Sequence, residues 1–336
     1  RVAPLAAVLA VVVLLPPAWG VWRARTLEVR EVGLVTVVQP NIPEHIKLDT
    51  RSALDSTFAS LDRLLPQVEP GSVKLVVLPE VTFPGAFPKH RTSAGVMARV
   101  QSYAREVGAP IMFGSLGYTG TTQDDFVPFN SVFLMEPQGL TDYQYDKRYL
   151  VPVVERMPLL PVSWVRHLPY FGLFGVGQGW PLADVEGTEY APLVCYESTY
   201  PEGARSFRRE GADVLVNVTN DAWYGREPLY ARTTALWQHP AHMVMRAIEN
   251  RMGVARAANT GISLFVDPVG RVYNPTALFT ADVRTDVVYT ADVTTLYTRF
   301  GDLVGNGAAL GALLLVLGAW WQRRRFGSLD PSPSRN

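Results

Sequence analysis

Two long apolar stretches frame this chain, and between them short hydrophobic runs alternate with amphipathic ones. Val2 to Trp22 (VAPLAAVLAVVVLLPPAWGVW) and Leu303 to Trp321 (LVGNGAALGALLLVLGAWW) carry no charged residue. Each has about the length that crosses a bilayer as a helix, so both read as transmembrane helices. Trp19 and Trp22 at one end of the first, and Trp320 and Trp321 at one end of the second, suit the aromatic belt of a membrane interface. A cleaved signal peptide needs a basic start, a shorter apolar core and a small-residue cleavage site. Pro16, Pro17, Trp19 and Trp22 fit that poorly, and the first segment is expected to be an anchor.

Between the anchors the pattern predicts strands and helices in alternation. Strands are expected at Val29 to Val38, Val73 to Leu78, Ile111 to Leu116, Ser131 to Met135, Tyr143 to Asp146, Ala191 to Cys195 and Asp213 to Val218, with a pair around Asp267-Pro-Val-Gly270. Leu54, Phe58, Leu61 and Leu65 recur at helical spacing, and further helices are expected over Ser93 to Val107, Glu202 to Glu210 and Leu229 to Arg251. Runs such as VKLVVL and ADVLVNV are apolar on both faces, as strands covered by helices must be. The pattern therefore predicts one α/β domain over residues 28–300. The Pro- and Gly-rich stretch from Leu159 to Trp180 reads as a long loop whose aromatics, Trp164, Tyr170, Phe171, Phe174 and Trp180, are costly to leave in water. It either folds back on the core or dips into a bilayer surface.

Composition narrows the function classes. The 336 residues are 48% hydrophobic and 18% charged, with a formal net charge of zero, enough for a large core and without the basic excess that marks a nucleic-acid partner. Arg323, Arg324 and Arg325 follow the second span and are expected to keep the C-terminus in the cytoplasm, which leaves the domain between two spans outside. Arg23 and Arg25 pull weakly the other way. The chain starts without methionine inside an apolar run, which suggests a longer protein.

Candidate chemistry collects at three strand ends. Lys74-Leu-Val-Val-Leu-Pro-Glu80 ends on a carboxylate, Asp142-Tyr-Gln-Tyr-Asp-Lys147 on an ammonium, and Tyr190-Ala-Pro-Leu-Val-Cys195 on the only thiol of the chain. A nucleophile, a base and a cation are a set able to carry out acyl transfer. Alone, a cysteine closing an apolar strand is more often inert core, and a single glutamate or lysine after a strand is more often a surface residue. Three such ends in order argue against those readings together. His239-Pro-Ala-His242 has no acidic or cysteine ligand nearby and reads as structural rather than as a metal site. Asn217-Val-Thr219 has the form of a glycosylation site but lies in a strand expected to be buried, and Trp223 is expected to pack and shape a pocket. No Gly-rich phosphate loop is present.

The segments VVLPE (Glu80), YDKRYLVP (Lys147), LVCYES (Cys195) and NVTNDAWYG, followed by RAIENR and ANTGIS, resemble the nitrilase, or carbon-nitrogen hydrolase, superfamily. The flanking apolar spans, QPNIP and KRYLVPVVE make the chain similar, within it, to the bacterial apolipoprotein N-acyltransferase family. That resemblance implies a four-layer α-β-β-α nitrilase-like sandwich flanked by two transmembrane helices, over 2–22 and 303–321. It also implies a Glu80 general base, a Lys147 cation that steadies the oxyanion and a Cys195 nucleophile. Glu155 matches a position that supports the lysine, and Tyr196 and Glu197 match the pair after the nucleophile. The chain departs from the family's usual pattern at Leu48, where tryptophan is common, at LPE in place of WPE, and in VPVVERMP.

By the same resemblance the acyl donor is a phospholipid and the acceptor the α-amine of a diacylglyceryl-cysteine on an apolipoprotein. No cofactor or metal is implied, and a monomer in the bacterial inner membrane with its catalytic domain on the periplasmic face is expected. A membrane-tethered amidase, in which water replaces the amine, and an inactive scaffold on the same fold are the alternatives.

Overall fold

Strand β1 (Arg30–Gln39) shows how the hydrophobic pattern is used. Side chains alternate across a strand, and β1 sends Val35 and Val37 into one core and Val38 into another. β2 (Leu75–Val77) repeats this, with Leu75 and Val77 on the first side and Val76 on the second. Both faces are covered, which is why β2 is apolar throughout and β1 largely so from Val32 to Val38.

The computed structural model describes residues 2–47, 49–120, 125–157 and 174–326. Leu48 and most of the aromatic loop, including Trp164, Tyr170 and Phe171, lie outside the described residues. The remaining strands are β3 (Ile111–Thr119), β4 (Val127–Glu136), β5 (Gly139–Asp146), β6 (Ala183–Val185), β7 (Thr188–Val194), β8 (Val214–Thr219), β9 (Gly253–Ala258), β10 (Leu264–Val266), β11 (Val272–Tyr273) and β12 (Asp282–Thr290). They form two six-stranded sheets, ordered β12-β1-β2-β3-β4-β5 and β11-β10-β9-β8-β7-β6. In the first, β1, β2 and β3 run parallel, with Val35 opposite Leu75 and Val77 opposite Met112. In the second, β7, β8 and β9 run parallel, with Tyr190 opposite Val214 and Val214 opposite Gly253.

Helices close the layers. α1 (Val2–Thr26) precedes β1, and a short α2 (Glu44–Lys47) follows it. α3 (Thr50–Leu64) starts at Asp49, whose carboxylate accepts from the Ser52 amide at 3.1 Å, a helix N-cap. With α4 (Ala94–Val107) it puts Phe58, Leu61, Val100 and Tyr103 on the outer face of the first sheet. α5 (Pro201–Glu210) and α6 (Ala235–Asn250) bring Phe207, Met243 and Ala247 to the core that includes the second sheet. The helix expected from Leu229 begins at Ala235; Leu229–Ala231 is a separate 3-10 turn. β6, β9 and β12 were not signalled by the hydrophobic pattern.

After a one-turn α7 (Leu296–Phe300), helix α8 (Leu303–Phe326) leaves the domain. Among the described residues, Leu303–Arg324 is the one helix long and apolar enough to cross a membrane by length and composition. The first expected span is also helical within α1, with Leu9, Leu14, Trp19 and Trp22 exposed.

The two sheets meet where Gly253 of β9 faces β12. A Cβ there would collide with the Tyr289 carbonyl oxygen, which is backbone and cannot rotate away. Gly253→Ala is therefore expected to destabilise the domain by about 2–3 kcal/mol, read as a lowered midpoint in chemical denaturation.

Candidate active site

Each of the three sequence-singled residues stands just past a strand, where the backbone is freed from the ladder. β2 ends one residue before Leu78-Pro79, and proline cannot donate to a continuing strand, so Glu80 falls in the turn. Val81, directly after it, has φ +42°, a left-handed conformation costly for a β-branched residue. Lys147 follows β5, and its amide donates to the Asn130 carbonyl on β4 at 2.8 Å. Cys195 follows β7 with φ +49° and opens a 3-10 turn, Cys195–Thr199. Strained backbone of this kind persists only where surrounding contacts impose it.

The fold brings these residues together. The Lys147 ammonium is fully buried and lies 2.9 Å from Glu155 Oε1 and 3.5 Å from Glu80 Oε1. Asn130 Nδ2 donates to the same two oxygens, at 2.8 Å to Glu80 and 3.1 Å to Glu155. Glu80 Oε2 accepts from the Asn220 amide at 3.0 Å, and Glu155 Oε2 from the Val151 amide at 2.8 Å. Burial alone would pull Lys147 down, but its interactions with Glu80, Cys195 and Glu155 outweigh it and hold the ammonium above the usual lysine range. For Cys195 burial is the main effect and pushes the thiol up, with Glu80 adding to it. Lys147 and a hydrogen bond with Thr219 oppose that without reversing it. The resting sulfur is thus a protonated thiol in the field of one cation, Lys147, and two carboxylates, Glu80 and Asp221.

A second amine reaches the same turn. Lys47 Nζ on α2 donates to the carbonyls of Glu80 at 3.4 Å and Val81 at 3.3 Å. Burial lowers it to about 8 against the raising effects of Glu44 and Glu80.

Glu197 ties two of the strand ends to each other. It is fully buried, and its Oε1 accepts from the Arg148 amide at 2.7 Å, the Tyr149 amide at 3.2 Å and the Tyr145 hydroxyl at 2.8 Å. Its Oε2 accepts from the Val194 amide at 2.8 Å. The carboxylate therefore fixes the chain before Cys195 to the chain after Lys147. Tyr196 is half-buried and edge-on to Tyr200 at 5.3 Å, and Tyr200 stacks on Tyr149 at 4.5 Å. Trp180, the described end of the aromatic loop, extends that wall beside Tyr149. Trp223 departs from expectation: it is 63% exposed rather than packed. The 3-10 turn Asp221–Tyr224 turns Asp221 inward to meet Arg256, which leaves Trp223 outside.

Four further groups escaped the reading of the sequence. Asn130, within β4, and Asn220, just past β8, hold Glu80, yet an asparagine at either place carries no signal of its own. Asp221 and Arg256 form a fully buried ion pair at 2.6 Å, and His239 Nδ1 lies 2.7 Å from Asp221 Oδ1. The charges in NDAWYG and GVARAA, set within apolar surroundings, were the available clue. Asn217 of the sequon is buried in β8 and donates to the Leu193 carbonyl at 2.8 Å. Among the described residues no group of three or more His, Cys, Asp and Glu is placed to hold a metal ion. A cavity of about 340 Å³ lies on β3 to β5, lined by Lys89, Tyr118 and Gln144 among others and by none of the residues above.

Such an arrangement can supply a thiol, a carboxylate able to take its proton, and a fixed ammonium to face developing negative charge. The carbon-nitrogen hydrolase profile matches residues 34–296, and the chain belongs to the carbon-nitrogen hydrolase family. It is 32% identical over 316 residues to the apolipoprotein N-acyltransferase of Geobacter metallireducens, covering 92% of this chain and 58% of that protein. To the apolipoprotein N-acyltransferase of Ralstonia nicotianae it is 31% identical over 302 residues, covering 88% of this chain and 54% of that protein. The chain thus spans little more than half the length of these relatives.

Solved structures share the fold. A carbon-nitrogen hydrolase superfamily protein from Xanthomonas campestris, with an arsenic adduct in its active site, superposes with a TM-score of 0.52 at 21% identity, covering 82% of this chain and 97% of that one. A variant of the amidase from Nesterenkonia sp. AN1, with the acetamide moiety of fluoroacetamide added at its active-site cysteine, gives 0.55 at 18% identity, covering 82% and 97%.

Proposed function

We propose that this chain carries the acyl-transfer centre of a membrane-bound apolipoprotein N-acyltransferase. The observation that carries the reading is the buried Glu80–Lys147–Glu155 cluster, whose Glu80 and Lys147 charges act on the sole thiol, Cys195. The names of the relatives support the acyl transfer, and the long apolar helix α8 supports a membrane setting. In this reading spans over 2–22 and 303–321 flank a catalytic domain over 28–300 that faces the periplasm. The protein acts as a monomer.

Glu80 takes the proton from Cys195, and the thiolate attacks the ester carbonyl of a phospholipid. Lys147 faces the oxyanion of the tetrahedral intermediate, and its collapse expels the lysophospholipid as an alcohol that recovers the proton from Glu80. An acyl thioester remains on Cys195. The free α-amine of the diacylglyceryl-cysteine then attacks the thioester, Glu80 takes a proton from nitrogen, and the amide leaves as that proton returns to sulfur. An amide is more stable than an ester, so the transfer runs without ATP. Glu155 holds Lys147, while Glu197 and Tyr196 shape the approach to Cys195. Trp223, exposed on the 3-10 turn, is the residue this reading assigns to lipid contact.

Purified protein incubated with phosphatidylethanolamine vesicles is expected to gain the mass of one fatty acyl group, lost on hydroxylamine treatment and absent in Cys195→Ala. No gain with a readily alkylated Cys195 would move the assignment to an amidase, the activity of a structural relative. A Cys195 inert to both acyl donor and alkylating agent would leave only a scaffold.

A further inference from the structure

Behind the candidate nucleophile lies a buried chain of polar groups that the acyl-transfer steps do not use. Arg256, fully buried on β9, donates to Asp221 Oδ2 at 2.6 Å and to Asn217. Asp221 Oδ1 accepts from the Thr219 hydroxyl at 3.0 Å and meets His239 Nδ1 at 2.7 Å. His239, only 3% exposed on α6, ends the chain with Nε2 at 3.0 Å from the carbonyl oxygen of Cys195. A carbonyl can only accept, so Nε2 carries a proton and donates it. With Asp221 and Arg256 fixing the ring on its other edge, the imidazole has no freedom to turn.

We propose that His239 is a positioning residue: by holding the Cys195 carbonyl it fixes the peptide that carries the nucleophile. The carbonyl of Cys195 and the amide of Tyr196 belong to one planar trans unit and point in opposite directions. Anchoring the carbonyl on the α6 side therefore sets the Tyr196 N–H on the other side and, through the left-handed φ of +49° at Cys195, the direction of the thiol. A cysteine would otherwise leave this conformation, because its Cβ makes it costly. His239 thus supplies what the 3-10 turn alone does not, a contact that imposes the strained geometry.

The proposal rests on the acyl-transfer reading for its chemistry, but its contact can be tested apart from it. The chain holds one cysteine, so protein labelled with [1-13C]cysteine gives a single carbonyl resonance from that residue. His239→Asn keeps a group facing Asp221 and cannot reach Cys195, whereas the longer His239→Gln carries an N–H to about the Nε2 position. In His239→Asn the resonance is expected to move upfield, and the rate of acyl-enzyme formation at saturating phosphatidylethanolamine to fall about 10²-fold with half-saturation unchanged. His239→Gln is expected to restore the resonance and most of the rate.

An unmoved resonance in His239→Asn, or a His239→Gln no better than His239→Asn, would overturn the proposal. Should His239→Asn fail to fold, His239→Gln decides alone, since a displaced resonance there overturns it. Wild-type protein that accepts no acyl group would overturn the functional reading instead, and the carbonyl resonance would then judge His239 by itself.

Discussion

Lys147→Met is expected to lower acyl-enzyme formation at Cys195 by at least about 10³-fold, the scale on which fixed donors to a developing oxyanion act. The Lys147 side chain is fully enclosed, and its ammonium sits against Glu155 at 2.9 Å and Glu80 at 3.5 Å. Its charge persists there because the surrounding negative groups overcome the cost of desolvation. Methionine preserves volume but leaves two buried carboxylates sharing only the Asn130 amide. Breaking a buried pair by removing one partner costs about 3–5 kcal/mol, so the variant should also unfold at lower denaturant. The charge that offsets the repulsion between the two carboxylates is then gone, and with it the group that faces the developing oxyanion. Lys147→Arg should not rescue, since a planar fork cannot occupy the space of a compact ammonium. Intact-mass kinetics of acyl-enzyme formation with phosphatidylethanolamine vesicles check the result, and a Lys147→Met protein that acylates at the wild-type rate removes Lys147 from the chemistry.

How much of this was legible in the sequence depends on which signals are local. β1, β2, β7 and β8 have apolar centres and are anticipated to within a few residues, as are α4 and α5, and the spacing of Leu54, Phe58, Leu61 and Leu65 announces α3. β9 is not anticipated: GVARAA is built of small residues with weak strand preference and carries Arg256 at its centre, so only the neighbouring strands make it a strand. β12 alternates Asp282, Arg284 and Asp286 with apolar residues at the edge of its sheet, and reads as a polar loop until β1 pairs with it. The same division holds for the site. Glu80 and Cys195 close apolar runs, Lys147 closes an alternating one, and all three stand out. Asn130, Asp221, His239 and Arg256 are distant in sequence from what they touch, and Trp223 was given a packed place that the turn around Asp221 denies it.

The buried ion pair behind the nucleophile leads to the other large effect. Asp221→Asn is expected to destabilise the domain by about 3–5 kcal/mol at neutral pH, because Arg256 is left as an uncompensated charge with no access to water. Arg256 and Asp221 are both fully buried and 2.6 Å apart. Burial pushes the Asp221 carboxyl up, but the Arg256 charge and the His239 hydrogen bond outweigh it and hold it at about 2. A folded-state value below the unfolded one stabilises the protein above the unfolded carboxylate range, and that stabilisation is lost as pH falls through the folded value. The displacement from 3.8 to about 2 corresponds to about 2 kcal/mol. The stability gap between wild type and Asp221→Asn should therefore narrow by about that amount between roughly pH 4 and pH 2. Denaturant titrations across that range measure it. A gap that does not change with pH would mean that the carboxylate charge is not what Arg256 depends on, and that the pair is held by shape and hydrogen bonding alone.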